Sequence, residues 1–192
     1  MNREQAQKRF VFACLAPAVI LVVLFIFVPT VNVFRMSLYR MGGITNRKEF
    51  VGLYNFQTLM GDKKFLEAMQ NSIVIIVMVT ICTIVLAVLF AALLSRGKFK
   101  GKNFFRVIFY IPNILSIVVI AGIFSAIYDP SNGLLNTFLE AVHLDGLKQQ
   151  WMGNPKIVLY SVIFALVWQA IGYYMVMYMA SMAAIPEDLY EA

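Results

Sequence analysis

Gln169 stands inside the longest uncharged stretch of the chain, 157–185, in the string Trp168-Gln169-Ala170-Ile171-Gly172-Tyr173-Tyr174. An amide has donors and acceptors to satisfy and finds no water in lipid, so it must face protein or a pore. With Trp168, Tyr173 and Tyr174 beside it, Gln169 has the makings of a sugar platform. The rings would cover apolar sugar faces while the amide bonded hydroxyls. The same residues suit interhelical packing around one buried hydrogen bond, and the sequence leaves both uses open. A second polar group opens another apolar run, Tyr110-Ile111-Pro112-Asn113-Ile114-Leu115-Ser116. Pro112 frees a backbone carbonyl, and Asn113 and Ser116 either satisfy that kink or line a cavity.

Other chemistry lacks its residues. His143 is the single histidine and has no partner at metal or triad spacing, so it reads as a solvated loop residue. Met175, Met177, Met179 and Met182 read as packing filler, and Cys14 and Cys82 as small buried hydrophobes. Gly97-Lys98 and Gly101-Lys102 lack the spacing of a phosphate-binding loop. Any ATP used by the system is therefore expected on another chain. No paired membrane carboxylates, catalytic triad or metal cluster is legible, so neither an enzyme nor a cofactor is expected.

These residues need elements that lipid will accept. The 192 residues are 61% hydrophobic and 14% charged, against roughly 25% charged in soluble domains. Charge vanishes from four stretches, giving predicted spans at about 10–34, 72–94, 104–128 and 157–183. Each exceeds the roughly 20 residues that cross a hydrocarbon core, and helices are implied because barrel strands are short and alternate. Pro17 and Pro29 are expected to kink or end the first span. The expected fold class is an all-α membrane protein, a polytopic helical bundle.

The net charge of +6 belongs to the span edges, where basic residues meet headgroups, and not to nucleic acid. Arg96, Lys98, Lys100, Lys102 and Arg106 crowd one short loop, 95–103 and its edge, with no acid among them. Arg3, Lys8 and Arg9 precede the first span. Both segments are placed in the cytoplasm, the longer segments 35–71 and 129–156 outside, and the two termini inside. Ala87, Ala91 and Ser95, then Ala121 and Ser125, then Ala180 and Ala184 recur at four-residue spacing and are expected at close helix contacts.

The chain ends Ile185-Pro186-Glu187-Asp188-Leu189-Tyr190-Glu191-Ala192, directly after the last span. Pro186 suits a first helical turn, and the acids suit the positive end of its dipole. Phe50-Val51-Gly52-Leu53-Tyr54-Asn55-Phe56 follows the first span, and Asn71-Ser72 opens the second. Phe104-Phe105-Arg106, Ile111-Pro112 and Gly133-Leu134-Leu135-Asn136 mark the third-span region. In order and spacing these strings resemble the membrane subunit of binding-protein-dependent ABC importers, carbohydrate permease group. The terminal string resembles the opening of that group's EAA loop.

The resemblance implies a six-helix type I importer core, of which four helices are predicted here. It implies a second permease subunit, ABC ATPase subunits and an extracellular or periplasmic sugar-binding protein as partners, in the lipid of a bacterial plasma membrane. Ile185, Pro186, Glu187, Leu189, Tyr190, Glu191 and Ala192 would enter a coupling helix that meets the ATPase, with Glu191 as the motif's glutamate. The motif's D-G-A continuation is not in the chain, so an incomplete piece is expected. The implied function is ATP-driven import of a sugar or oligosaccharide. The rivals are a same-fold importer of another small solute and a non-transporting membrane anchor or scaffold.

Overall fold

A computed structural model describes residues 3–42, 48–96 and 101–186. The chain divides into two compact units, Met1–Ala68 and Met69–Ala192.

The first unit opens with α1 (Arg3–Val22), a π-turn (Val23–Phe27) and α2 (Val28–Ser37), one helical run of 35 residues. The expected kinks at Pro17 and Pro29 are not ends. Pro17 lies within α1. Pro29 sits in the first turn of α2, just after the π-turn in which the Val28 N–H reaches the Val23 carbonyl. That wider turn loosens the ladder where a proline ring would strike the carbonyl four residues back. The Thr30 hydroxyl donates to the Ile26 carbonyl at 2.6 Å beside it. None of the run's apolar stretch is buried. Cys14, expected among buried residues, is exposed on it.

A two-stranded hairpin follows. In β1 (Tyr39–Met41) and β2 (Lys48–Phe50), Tyr39 pairs with Phe50 and Met41 with Lys48. The string that begins at Phe50 fastens this hairpin to the helix before it. Val51 N–H donates to the Leu38 carbonyl at 2.9 Å. Gly52 takes a φ of +55°, which a side chain would resist. The Asn55 amide donates to Ser37 and Tyr39 carbonyls at 2.7 and 3.1 Å. α3 (Tyr54–Gly61) then ends at Asp62, whose carboxylate accepts from the N–H groups of Lys64 and Phe65 and so caps α4 (Lys63–Arg96).

In the second unit, α5 (Lys102–Ile114) and α6 (Ile117–Ile127) meet at an angle of 104°. The stretch 104–128, expected as one span, is thus two helices. The break lies beyond Pro112, at Leu115 and Ser116, both with extended backbone. Pro112 weakens the end of α5 by removing a donor, and Ser116 restarts the chain as an N-cap, its hydroxyl accepting from Val119 N–H at 3.4 Å. The segment 129–156 contains α7 (Leu134–Ala141) and a short 3₁₀ turn (Asp145–Leu147) before α8 (Val158–Ala183). Among the described residues, three helices are long and apolar enough to cross a membrane, or four if the bent pair counts as one.

The core of this unit joins α4, α5 and α8. Thr83, Ala87, Ala91 and Leu94 form the buried stripe of α4, and Met175 is fully buried against it. The small-residue spacing therefore marks a contact on α4 at Ala87 and Ala91, though not at Ser95, which is exposed. It does not on α6 or α8, where Ala121, Ser125, Ala180 and Ala184 are exposed. On α8 the small contact residue is Gly172. A Cβ there would lie 1.8 Å from the Phe109 carbonyl oxygen, so α5 and α8 cross backbone to backbone.

Candidate functional site: the α5–α8 crossing and an aromatic cavity

Two regions hold the polar and aromatic residues singled out from the sequence. The first is the α5–α8 crossing. Gln169 lies one turn before Gly172 on α8, and Asn113 one turn after Phe109 on α5. Both side chains are half-buried, and neither finds a hydrogen-bond partner among the described residues. Thr83 on α4 adds a third unpaired group, a hydroxyl with 3% of its residue exposed. Sequence reasoning passed over Thr83 because a lone threonine in an apolar run ordinarily bonds its own helix. At membrane depth each such group needs a partner from water, cargo or another chain.

The second region is a cavity of about 490 Å³ lined by Phe124, Tyr128, Trp151, Tyr160, Phe164 and Trp168, among others. The Trp168 ring meets Phe124 edge-on at 5.4 Å, and Tyr128 stacks on Trp151 at 6.2 Å. Polar groups of Tyr128, Ser161 and Trp151 at its rim are already paired. Tyr128 donates to the Ser161 carbonyl at 3.1 Å, and the Ser161 hydroxyl donates to the Trp151 carbonyl at 2.9 Å. Asn136 ties the wall together: its amide donates to the Gln149 carbonyl at 3.1 Å, and its oxygen accepts from Gln149 N–H and from Trp151 Nε1 at 2.9 Å.

The structure does not gather the aromatic residues around Gln169. Trp168 faces the cavity, whereas Tyr173 and Tyr174 meet each other edge-on at 5.3 Å and are exposed. Ser116 is exposed and engaged in capping. Tyr173, four residues on from Gln169, shares its face of α8, whereas Trp168 and Tyr174 fall on other faces.

Gly133 and Asn136, quoted from the sequence as parts of one string, have separate duties. Asp129 closes a turn, its carboxylate accepting from Asn132 and Ser131 N–H groups at 2.8 and 2.9 Å, which hold it below the usual carboxylate range. Gly133 packs so close that a Cβ would fall 2.2 Å from the Asp129 carbonyl oxygen. Asn136 is the clamp described above. His143, read as solvated, is exposed but takes a φ of +58°. Its N–H donates to Glu140 and that of Leu144 to Leu139, completing a Schellman end to α7.

At the end of α8 the Ile185 N–H donates to the Met182 carbonyl at 3.2 Å, and the helix stops before Pro186. Ile185 and Pro186 are exposed. Glu187, Leu189, Tyr190, Glu191 and Ala192 lie outside the described residues.

Comparison with known proteins places this arrangement. The chain is 36% identical over 179 residues to a probable ABC transporter permease protein of Bacillus subtilis, YurN, covering 93% of this chain and 61% of that protein. It is 28% identical over 192 residues to the diacetylchitobiose uptake system permease protein NgcF of Streptomyces coelicolor, covering 95% of this chain and 54% of NgcF. This chain thus spans between half and two thirds of the length of these relatives. A chain in the crystal structure of bacterial alginate ABC transporter in complex with alginate pentasaccharide-bound periplasmic protein shares its fold, at a TM-score of 0.79 and 22% identity, over 98% of this chain and 62% of that one. Residues 83–192, from the buried stripe of α4 to the terminal string, match the family of binding-protein-dependent transport system inner membrane components, and the chain belongs to that family.

Proposed function

We propose that the protein is a permease subunit of an ATP-driven ABC importer and forms part of the path by which a sugar or oligosaccharide crosses the bacterial plasma membrane. The observation that carries this reading is the family match across residues 83–192, the region that holds the α5–α8 crossing and its unpaired Gln169 and Asn113. The named cargoes of NgcF and of the alginate transporter are saccharides, which supports the substrate class. Gln169, Asn113 and Thr83 can exchange hydrogen bonds with hydroxyls without presenting a charge, as a neutral solute requires.

The partners in this reading are a second permease subunit, ABC ATPase subunits that carry out the hydrolysis, and an external sugar-binding protein. In this reading the chain crosses at about 10–34, 72–94, 104–128 and 157–183, the third bent at Ser116, and the basic flanks leave both termini in the cytoplasm. The string Ile185 to Ala192 would meet the ATPase. Nucleotide on one side and loaded binding protein on the other then supply the differential contacts that bias the bundle between its openings.

The test is co-purification. The chain should carry a nucleotide-binding subunit out of the membrane, and Glu191→Ala should break that association. Deleting the gene should lower uptake of at least one labelled sugar. Normal uptake of a broad sugar panel, with no associated ATPase, would favour an anchor or scaffold instead.

A further inference from the structure

We infer that the β1–β2 hairpin and α3 form an interfacial foot that rests in the phospholipid headgroup layer, and do not rise as a solvated loop. The inference rests on the reading of α1–α2 and α4 as membrane spans.

Connectivity fixes the foot at the membrane surface. At one end, Asn55 and Val51 bond to the backbone of Ser37, Leu38 and Tyr39, where the first helical run finishes. At the other, Asp62 both ends α3 and caps α4. With both ends tied to emerging helices, the segment has no slack to lift into water.

The side chains suit that depth. Leu53, Phe56 and Met60 fall on one face of α3, at positions i, i+3 and i+7, and are 64%, 38% and 59% exposed. Phe50 extends the apolar surface at 66% exposure, and Thr58 stands on the opposite face. Arg40, Lys48, Lys63 and Lys64 are exposed around it, together with the acids Glu49 and Asp62, and Arg40 lies over the Tyr54 ring at 4.9 Å. An apolar stripe bordered by cations and tyrosines matches the acyl boundary below and anionic headgroups above. A sugar or a soluble protein gives no reason for that order of layers.

The test uses the full chain with Cys14→Ala and Cys82→Ala, reconstituted in phosphatidylethanolamine and phosphatidylglycerol vesicles. Single cysteines (Leu53→Cys, Met60→Cys, Thr58→Cys, Val85→Cys) carry an environment-sensitive fluorophore. Lipids with a headgroup nitroxide should quench the Leu53 and Met60 labels about twofold more than the Thr58 label, which iodide should reach instead. Iodide quenching of all three would overturn the foot in favour of a solvated loop. Shielding of Leu53 and Met60 from both quenchers would overturn it in favour of a covering protein chain. The label at Val85, near the middle of the predicted span 72–94, must respond to a nitroxide deep in the acyl chains. If it does not, the span reading itself falls, and the inference falls with it.

Discussion

A Cβ on Gly172 would lie 1.8 Å from the Phe109 carbonyl oxygen and 2.9 Å from the Tyr110 Cα. Backbone atoms cannot swing aside as a flexible side chain can. Gly172→Ala therefore has to push α5 and α8 apart and open the core around Met175, at a cost of about 1–3 kcal/mol. Gly172→Leu should cost more. Thermal unfolding in detergent checks this, with Ala180→Leu as the control, since Ala180 is exposed. Equal stability of the Gly172 and Ala180 variants would show that the crossing is not tight.

Asn136 holds Gln149 and Trp151 against α7 through both atoms of its amide. Asn136→Ala leaves a part-buried indole N–H and two part-buried backbone groups without their partner, each at a cost of up to about 1–3 kcal/mol where water does not replace it. Both tryptophans of the chain line the cavity, so fluorescence excited selectively at tryptophan reports on the cavity. The expected outcome is a red-shifted spectrum for Asn136→Ala as Trp151 meets water. Asn136→Asp keeps the acceptor for Trp151 and should shift less.

His143 holds the left-handed position that ends α7, where glycine is usual. A non-glycine residue there carries about 1–2 kcal/mol of strain, partly offset by the greater unfolded freedom of glycine. His143→Gly should therefore raise stability by roughly 0.5–1 kcal/mol. A lower midpoint in thermal unfolding would mean that the imidazole makes a contact worth more than the strain.

Much of the fold was legible because lipid leaves few options. Uncharged runs marked where the helices lie, although α1 begins seven residues and α4 nine residues before the predicted spans, and Ala87 and Ala91 gave one face of the core. The bend at Ser116 was not legible, because Pro112 drew attention to itself while the cap that restarts the chain lies beyond it. Gly172 was quoted within a string but given no role, since a lone glycine has no period. The residues around Gln169 are gathered only in part, Tyr173 sharing its face, for a geometric reason. Neighbours in sequence fan out around a helix, so Trp168, Tyr173 and Tyr174 do not share a face with one another.

Lys148 reaches both Glu140 and Asp145 at 2.8 Å, clasping α7 to the 3₁₀ turn. The hydrogen bond and charge of Lys148 lower the Asp145 carboxyl, and the two acids raise the lysine. A lowered carboxyl stabilises above its ordinary value and loses that contribution as pH falls through the lowered one. A raised lysine stabilises below its ordinary value and loses it as pH rises through the raised one. The protection of amides 134–148 relative to their intrinsic exchange rate should therefore be flat across neutral pH and fall at both extremes. Asp145→Asn should weaken the acid response, and added salt should shrink the effect in the wild type because the groups are exposed. Protection that stays constant from acid to alkaline pH would mean that the clasp holds nothing.

Gln169 is the sharpest test of the proposed path. Its amide is half-buried, unpaired among the described residues, and one turn from the helix crossing. If cargo hydroxyls supply its partner, Gln169→Leu removes about 0.5–1.5 kcal/mol of hydrogen bonding, a loss of threefold to tenfold in uptake, with membrane yield and ATPase association unchanged. If the amide instead bonds a second permease subunit, the same change lowers co-purification of that subunit before it lowers transport per assembled complex. Measuring uptake normalised to assembled transporter separates the two. Unchanged uptake and unchanged assembly would leave Gln169 bonded to neither, and the path would then have to run past Asn113 or Thr83 instead.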